Sequence, residues 1–149
     1  ECAEQGLCTI VREPTIPAEY LAEWFRDMQQ KYRILEIACD PYREKYIREA
    51  FEGLPLFVVR SGAITHNKLA PTIDAMFARQ KIIYGDDMLM RWYTNNVKVV
   101  QDGKGNKSYH KFDPERKKTD GFMAMVHALS RDELILPKQE LHAFKPIIV

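Results

Sequence analysis

Apolar residues recur at Leu21, Trp24, Phe25, Met28 and Tyr32, spaced i, i+3, i+4, i+7 and i+11. That spacing predicts one helix with a single apolar stripe, opened by Pro17 in its first turn and running to about Lys31. Upstream, residues 7–11 form a short strand candidate closed by Pro14 and Pro17. Residues 34–39 are a nearly continuous apolar run of strand length, the pattern of a strand covered on both faces. Asp40-Pro41 ends it and starts a second helix whose inner side carries Tyr46, Ile47, Ala50 and Phe51, and Gly53-Leu54-Pro55 stops that helix. Residues 56–59 are the next buried strand. Strand, helix and strand in so short a span make a βαβ unit, which requires parallel strands and a right-handed crossover.

The second half alternates differently. A helix is predicted over 66–79, then a short apolar segment at 82–84 that stops at Gly85. Asp86 and Asp87 can cap a helix carrying Met88, Leu89 and Trp92, with Trp92 assigned to the core by its spacing. Residues 97–100 and 107–112 flank Asp102-Gly-Lys-Gly-Asn106, a five-residue loop with two glycines, which predicts a β-hairpin. A last helix follows residues 116–120, with Phe122, Met125, Val126 and Leu129 as its stripe. Residues 1–132 are thus expected to form one domain, and 133–149, punctuated by Pro137 and Pro146, a tail.

At 149 residues, 46% apolar and 29% charged, the chain has the makings of one globular core. No run of about 18 apolar residues is present, so no membrane-spanning helix is expected. The start at Glu1, without initiator Met or signal pattern, suggests a piece of a longer polypeptide. Three cysteines with no C-x-x-C pair argue for reduced thiols rather than a disulfide framework or zinc site. The net charge of +1 conceals a local asymmetry, because residues 91–118 hold eight Lys or Arg against three acids.

Two acids stand in unusual places. Asp40 ends a buried parallel strand, and Asp120 begins the last helix 80 residues later. Ligands collect at the carboxyl ends of strands in open α/β sheets. Phosphodiester hydrolysis needs an activated water and charge neutralisation, which two divalent cations held by carboxylates from different elements supply. Each residue is equally suited to capping its helix. The four histidines have no ligand spacing for zinc. His127, seven residues after Asp120, falls on nearly the same helical face and is a candidate to orient a water or phosphate; a packed histidine is the alternative. Asp86 and Asp87 are further acids, explained equally by a solvated helix start. Lys98, Lys104, Lys107 and Lys111 on the hairpin are candidate contacts to nucleic-acid phosphates, which lysines on a protruding ribbon neutralise without reading bases.

From Ala3 to about Leu129 the sequence resembles the nuclease domain of tailed-phage terminase large subunits, particularly those of phages of Gram-positive hosts. The resemblance is carried by Gly85-Asp-Asp-Met-Leu-Met-Arg-Trp-Tyr-Thr-Asn-Asn-Val97, by Arg116-Lys-Lys-Thr-Asp-Gly-Phe122 with His127-Ala-Leu129, and by the segments 6–13 and 32–43 in the same order. It implies an α/β, ribonuclease H-like fold, a mixed sheet flanked by helices, here N-terminally truncated and with a β-hairpin inserted before the last helix. It also implies a metal-dependent endonuclease that cuts concatemeric double-stranded DNA during packaging. Asp40 and Asp120 match the second and last of the acids that bind Mg²⁺ or Mn²⁺ in that family. The implied partners are double-stranded DNA, an upstream ATPase domain of the same polypeptide, the portal and the small terminase subunit, and the implied location is the host cytoplasm.

The family's first catalytic acid belongs to a strand expected upstream of Glu1, which would leave residues 34–39 as an open edge. No G-x-x-x-x-G-K-[ST] motif is present, so the motor is expected outside these residues too. Two functional classes follow: an endonuclease in which Asp40 and Asp120 are ligands, and a non-catalytic module of the same fold that holds DNA or a packaging partner while the two acids only cap helices.

Overall fold

The computed structural model describes residues 1–42, 44–60 and 62–132; the segment assigned to a tail, 133–149, lies outside them. The elements are α1 (Ala18–Gln29), β1 (Ile37–Cys39), α2 (Glu44–Arg48), β2 (Leu56–Val58), α3 (Ala63–Ala78), α4 (Met88–Asn95), β3 (Val97–Gln101), β4 (Lys107–Lys111) and α5 (Asp120–Leu129). β1 and β2 are adjacent and parallel, with Ile37 opposite Leu56 and Cys39 opposite Val58, as the βαβ reading requires. β3 and β4 form the expected antiparallel hairpin. Among the described residues the two pairs are separate two-stranded sheets rather than one mixed sheet.

Two cores result. Ala22 of α1, Ile37 of β1 and Phe51 after α2 are buried together, with Phe25, Ile34, Ile47 and Leu56 around them, so the helices on either side of Asp40 both pack on the parallel pair. Leu69, Ala70 and Ile73 of α3 meet Tyr109 of β4 and Phe122 and Val126 of α5 in the second core. His66, Leu69, Ala70 and Ile73 are one turn apart on a single stripe, which is why α3 seals the inner face of the hairpin. α5 touches β1 as well as α3 and so joins the cores.

Several expectations are corrected. Residues 7–11 are not a strand, and the short apolar segment at 82–84 is irregular. No described strand pairs with either segment, and a strand without a neighbour leaves its amides unpaired. α1 is rotated from its predicted stripe: the small Ala18 and Ala22 are buried, Ala22 beside Ile37 of β1, while Leu21 lies outward, Trp24 is 51% exposed and Tyr32 falls beyond the helix, exposed. A helix can lie close to a sheet along its alanines, and the bulky residues beside them are then displaced to the flank. Tyr46 of α2 is exposed for the same reason of register, leaving Phe51 as the buried anchor. In α4 it is Tyr93 that packs against the second core, whereas Trp92 is 42% exposed.

The second core contains two buried histidines on facing helices, His66 and His127. The backbone N–H of Tyr109 donates to His66 Nδ1 at 3.3 Å, which leaves the proton on Nε2. Burial holds both imidazoles below their ordinary pKa; the charge of His127 adds to this at His66, and that of Asp40 opposes it at His127. The folded state therefore binds fewer protons than the unfolded chain once pH falls below about 6.5. Their contribution is fully present above that value and is lost as pH falls through the folded pKa values, with a limiting slope of about 1.4 kcal/mol per pH unit per histidine. Urea midpoints measured at pH 7.5 and 5.0 are expected to drop on acidification, and a His66→Phe variant is expected to lose part of that dependence. Equal midpoints at both pH values would contradict the argument.

Candidate active site at the end of the parallel strands

Asp40 follows directly on β1, half-buried, and its Oδ1 accepts the backbone N–H of Tyr42. That bond is a local turn out of the strand and not the cap of α2, which begins only at Glu44, so Asp40 does not cap the helix as expected. Asp120 is the first residue of α5 and is exposed; Thr119 precedes it as the N-cap and makes no side-chain capping bond. Ala38 shares a depression with Ala128 and Arg131 beyond the C-terminal end of α5, whereas the charge of Asp40 is felt at His127, further back along the helix. β1 packs against α5, the helix whose first residue is Asp120. Among the described residues neither carboxylate enters an ion pair.

The position of Asp120 is set by α4. A Cβ on Gly121 would stand 2.5 Å from Cδ2 of Tyr93 and 2.8 Å from Sδ of Met90, so only glycine lets the first turn of α5 lie this close to α4. The phenol of Tyr93 is pushed above its ordinary pKa by burial, with the negative charge of Asp120 adding to it. Asp87 Oδ1 accepts the N–H of Met90 at 2.9 Å, which makes Asp87 the N-cap of α4. Asp86 is exposed and lies just outside the helix.

Among the described residues no group of three His, Cys, Asp or Glu side chains stands close enough to hold a metal ion. Two free carboxylates still fit a hard, hydrated divalent cation, since Mg²⁺ keeps several waters and takes only one or two protein carboxylates. Cys39, next to Asp40, is a poor nucleophile here: burial and then the charges of Glu44 and Asp40 raise its thiol pKa. His127 is buried, the charge of Asp40 opposes the effect of burial on its imidazole, and its Nε2 has no hydrogen-bond partner among the described residues.

The hairpin lysines do not form one array. Cross-strand partners share a face, so Lys98 and His110 lie on the outer face, while Lys107 and Lys111 belong to the face of the buried Tyr109. Lys107 is ion-paired with Asp74 of α3, which neutralises it and fastens the hairpin to the helix. Lys98, Lys104 and Lys111 are exposed. Lys104 sits in the connecting loop, where Asp102 accepts the N–H groups of Lys104 and Asn106 at 2.8 and 2.9 Å. Ser108 Oγ stands 2.9 Å from His110 Nε2, adding polar groups beside Lys98. The pairing of Lys107 depends on the fold and has no local sequence signal; the two-face division follows from hairpin register and is readable in advance.

Solved structures of phage packaging nucleases share this architecture. The crystal structure of the HK97 bacteriophage large terminase superposes with a TM-score of 0.76 at 17% identity, over 87% of this chain and 28% of that one. The large terminase nuclease from thermophilic phage G20c gives a TM-score of 0.63 at 12% identity, over 78% of this chain and 63% of that one. The fold is thus the ribonuclease H-like fold of terminase nucleases, of which this chain spans a part. A family model described as terminase large subunit, endonuclease domain, matches residues 20–134, and the chain belongs to that family. No curated protein matches it. Among the described residues no helix is long and apolar enough to cross a membrane.

Proposed function

We propose that this chain is the DNA-cutting part of a phage packaging enzyme, a metal-dependent endonuclease acting on concatemeric double-stranded DNA in the host cytoplasm. The reading is supported by the match to the terminase endonuclease family together with the placement of one acid, Asp40, directly after β1 and another, Asp120, in the first turn of α5, two elements that pack against each other. Asp40 and Asp120 would hold Mg²⁺ or Mn²⁺ together with an acid from elsewhere in the polypeptide. A bound pair of such ions supplies an activated water and offsets charge on the phosphate and the departing 3′ oxygen. The chain's own contribution is to carry the two carboxylates on different elements, with no Lys or Arg among the described residues ion-paired to either. The ATPase domain, portal and small terminase subunit are the partners this role requires. Plasmid nicking by the complete polypeptide is expected in Mg²⁺ or Mn²⁺ and to vanish in EDTA. Nicking that persists in EDTA would refute metal dependence.

Lys98, Lys104 and Lys111 are exposed, enter no ion pair among the described residues and would neutralise backbone phosphates. Removing Lys98 and Lys111 together is expected to lower the slope of log affinity against log salt by about two, whatever the DNA sequence. Lys107→Ala should act mainly on stability, because its charge is already matched by Asp74. An unchanged salt slope in the Lys98/Lys111 double variant would remove the hairpin from the DNA-binding surface.

A further inference from the structure

Asn96 lies between the hairpin and the segment that delivers Asp120. It is 3% exposed, the C-cap of α4 and the residue immediately before β3. Its backbone carbonyl accepts the N–H of Phe112, just past the end of β4, at 2.9 Å, so it closes the base of the hairpin. Its side-chain Nδ2 donates to the carbonyl of Lys118 at 3.0 Å, two residues before Asp120. Its own N–H returns to the carbonyls of Trp92 and Tyr93, and the ring of Tyr93 is the one against which Gly121 fits. The backbone of Asn96 thus ties the last turn of α4 to both ends of the ribbon, and its side chain alone adds the tie to the approach to α5. Thr119, buried between the Lys118 carbonyl and Asp120, adds no side-chain cap that would hold this segment independently.

We propose that Asn96 is a positioning residue for Asp120: its bond to Lys118 fixes where the first turn of α5 presents that carboxylate to a divalent cation. The inference rests on the metal-site reading above. Outer partners of a ligand orient it without touching the metal, and their loss typically weakens metal affinity by about tenfold or more. Without the Nδ2 donor, the Lys118 carbonyl loses its partner and the turn before Asp120 is free to shift. The hairpin is secured to α3 separately through Lys107 and Asp74, so removing the donor is expected to affect the metal more than DNA binding.

The test is Mn²⁺ binding to the complete polypeptide without nucleotide or DNA, followed by electron paramagnetic resonance of the free ion, for the parent, Asn96→Ala, Asn96→Ser and Asp120→Asn. Leu69→Ala serves as a control that loosens the same core but has no bond to the 118–120 segment. The expected result is a Mn²⁺ midpoint raised about tenfold in Asn96→Ala, a smaller rise in Asn96→Ser, whose hydroxyl can still donate, and no rise in Leu69→Ala. Salt-dependent DNA binding in Ca²⁺ should match the parent. Should Asn96→Ala not fold, Asn96→Ser carries the comparison. A parent-like midpoint in the folded Asn96 variants beside a weakened Asp120→Asn would overturn the inference alone. A parent-like midpoint in Asp120→Asn would overturn the metal-site reading and this inference with it.

Discussion

Asp120→Asn in the complete polypeptide is expected to slow plasmid nicking by about 10²- to 10³-fold, and Asp40→Asn by a similar factor, with DNA affinity nearly unchanged. The substitution keeps size and shape but removes the negative charge, so a cation held there loses a hard anionic ligand. Charge stabilisation by such an ion is worth several kcal/mol in the transition state, and each 1.36 kcal/mol is tenfold in rate. Asp120 makes no capping bond, so its loss should leave folding intact. Asp40→Asn keeps an oxygen able to accept the Tyr42 N–H, so that turn also survives. These isosteric variants therefore separate the two functional classes. Parent-like nicking in both, measured under initial-rate conditions in Mn²⁺, would remove the two acids from the cutting chemistry and favour a non-catalytic DNA-holding module.

Phe122→Ala is expected to cost about 3–5 kcal/mol, a large share of the total of roughly 5–15 kcal/mol that holds a domain folded. Phe122 is 3% exposed and meets the ring of Tyr109 edge-on, with centroids 5.1 Å apart. It is the point at which α5, the hairpin and α3 share one core, so a cavity there loosens the attachment of all three. Thermal or urea unfolding of the variant should show a much lower midpoint. A midpoint within experimental error of the parent would mean that this core does not hold the domain together.

The elements were largely legible from periodicity, and the parallel pair and hairpin follow from their connections. Burial was less so. In α1 the sequence offers both an alanine pair and a bulky stripe one position round the helix, and periodicity alone favours the larger side chains. The structure packs Ala18 and Ala22 inward because close approach to the sheet needs small residues. Trp92 and Tyr93 present the same ambiguity one residue apart, resolved by the fit of Tyr93 against Gly121. Asp40 and Asp120 stood out by their places at element ends, but the neighbour relation between β1 and α5 is tertiary and has no local signature. Asn96 carries no local sign of its role, since an asparagine after a helix is an ordinary C-cap and its partner at Lys118 is brought to it only by the fold.

Gly121 also carries a thermodynamic consequence for the helix that presents Asp120. Glycine is about 1 kcal/mol poorer than alanine in a helix, because its backbone surrenders more freedom on becoming ordered. Here it occupies the second position of α5, in a turn whose N-cap contributes no side-chain bond. That cost is offset by contact rather than by a cap: Tyr93 and Met90 close on Gly121 from α4, and Phe122 in the same turn is anchored in the second core. Asp120 is therefore presented by a turn held from both sides, and any larger residue at position 121 would displace the carboxylate together with the helix that carries it.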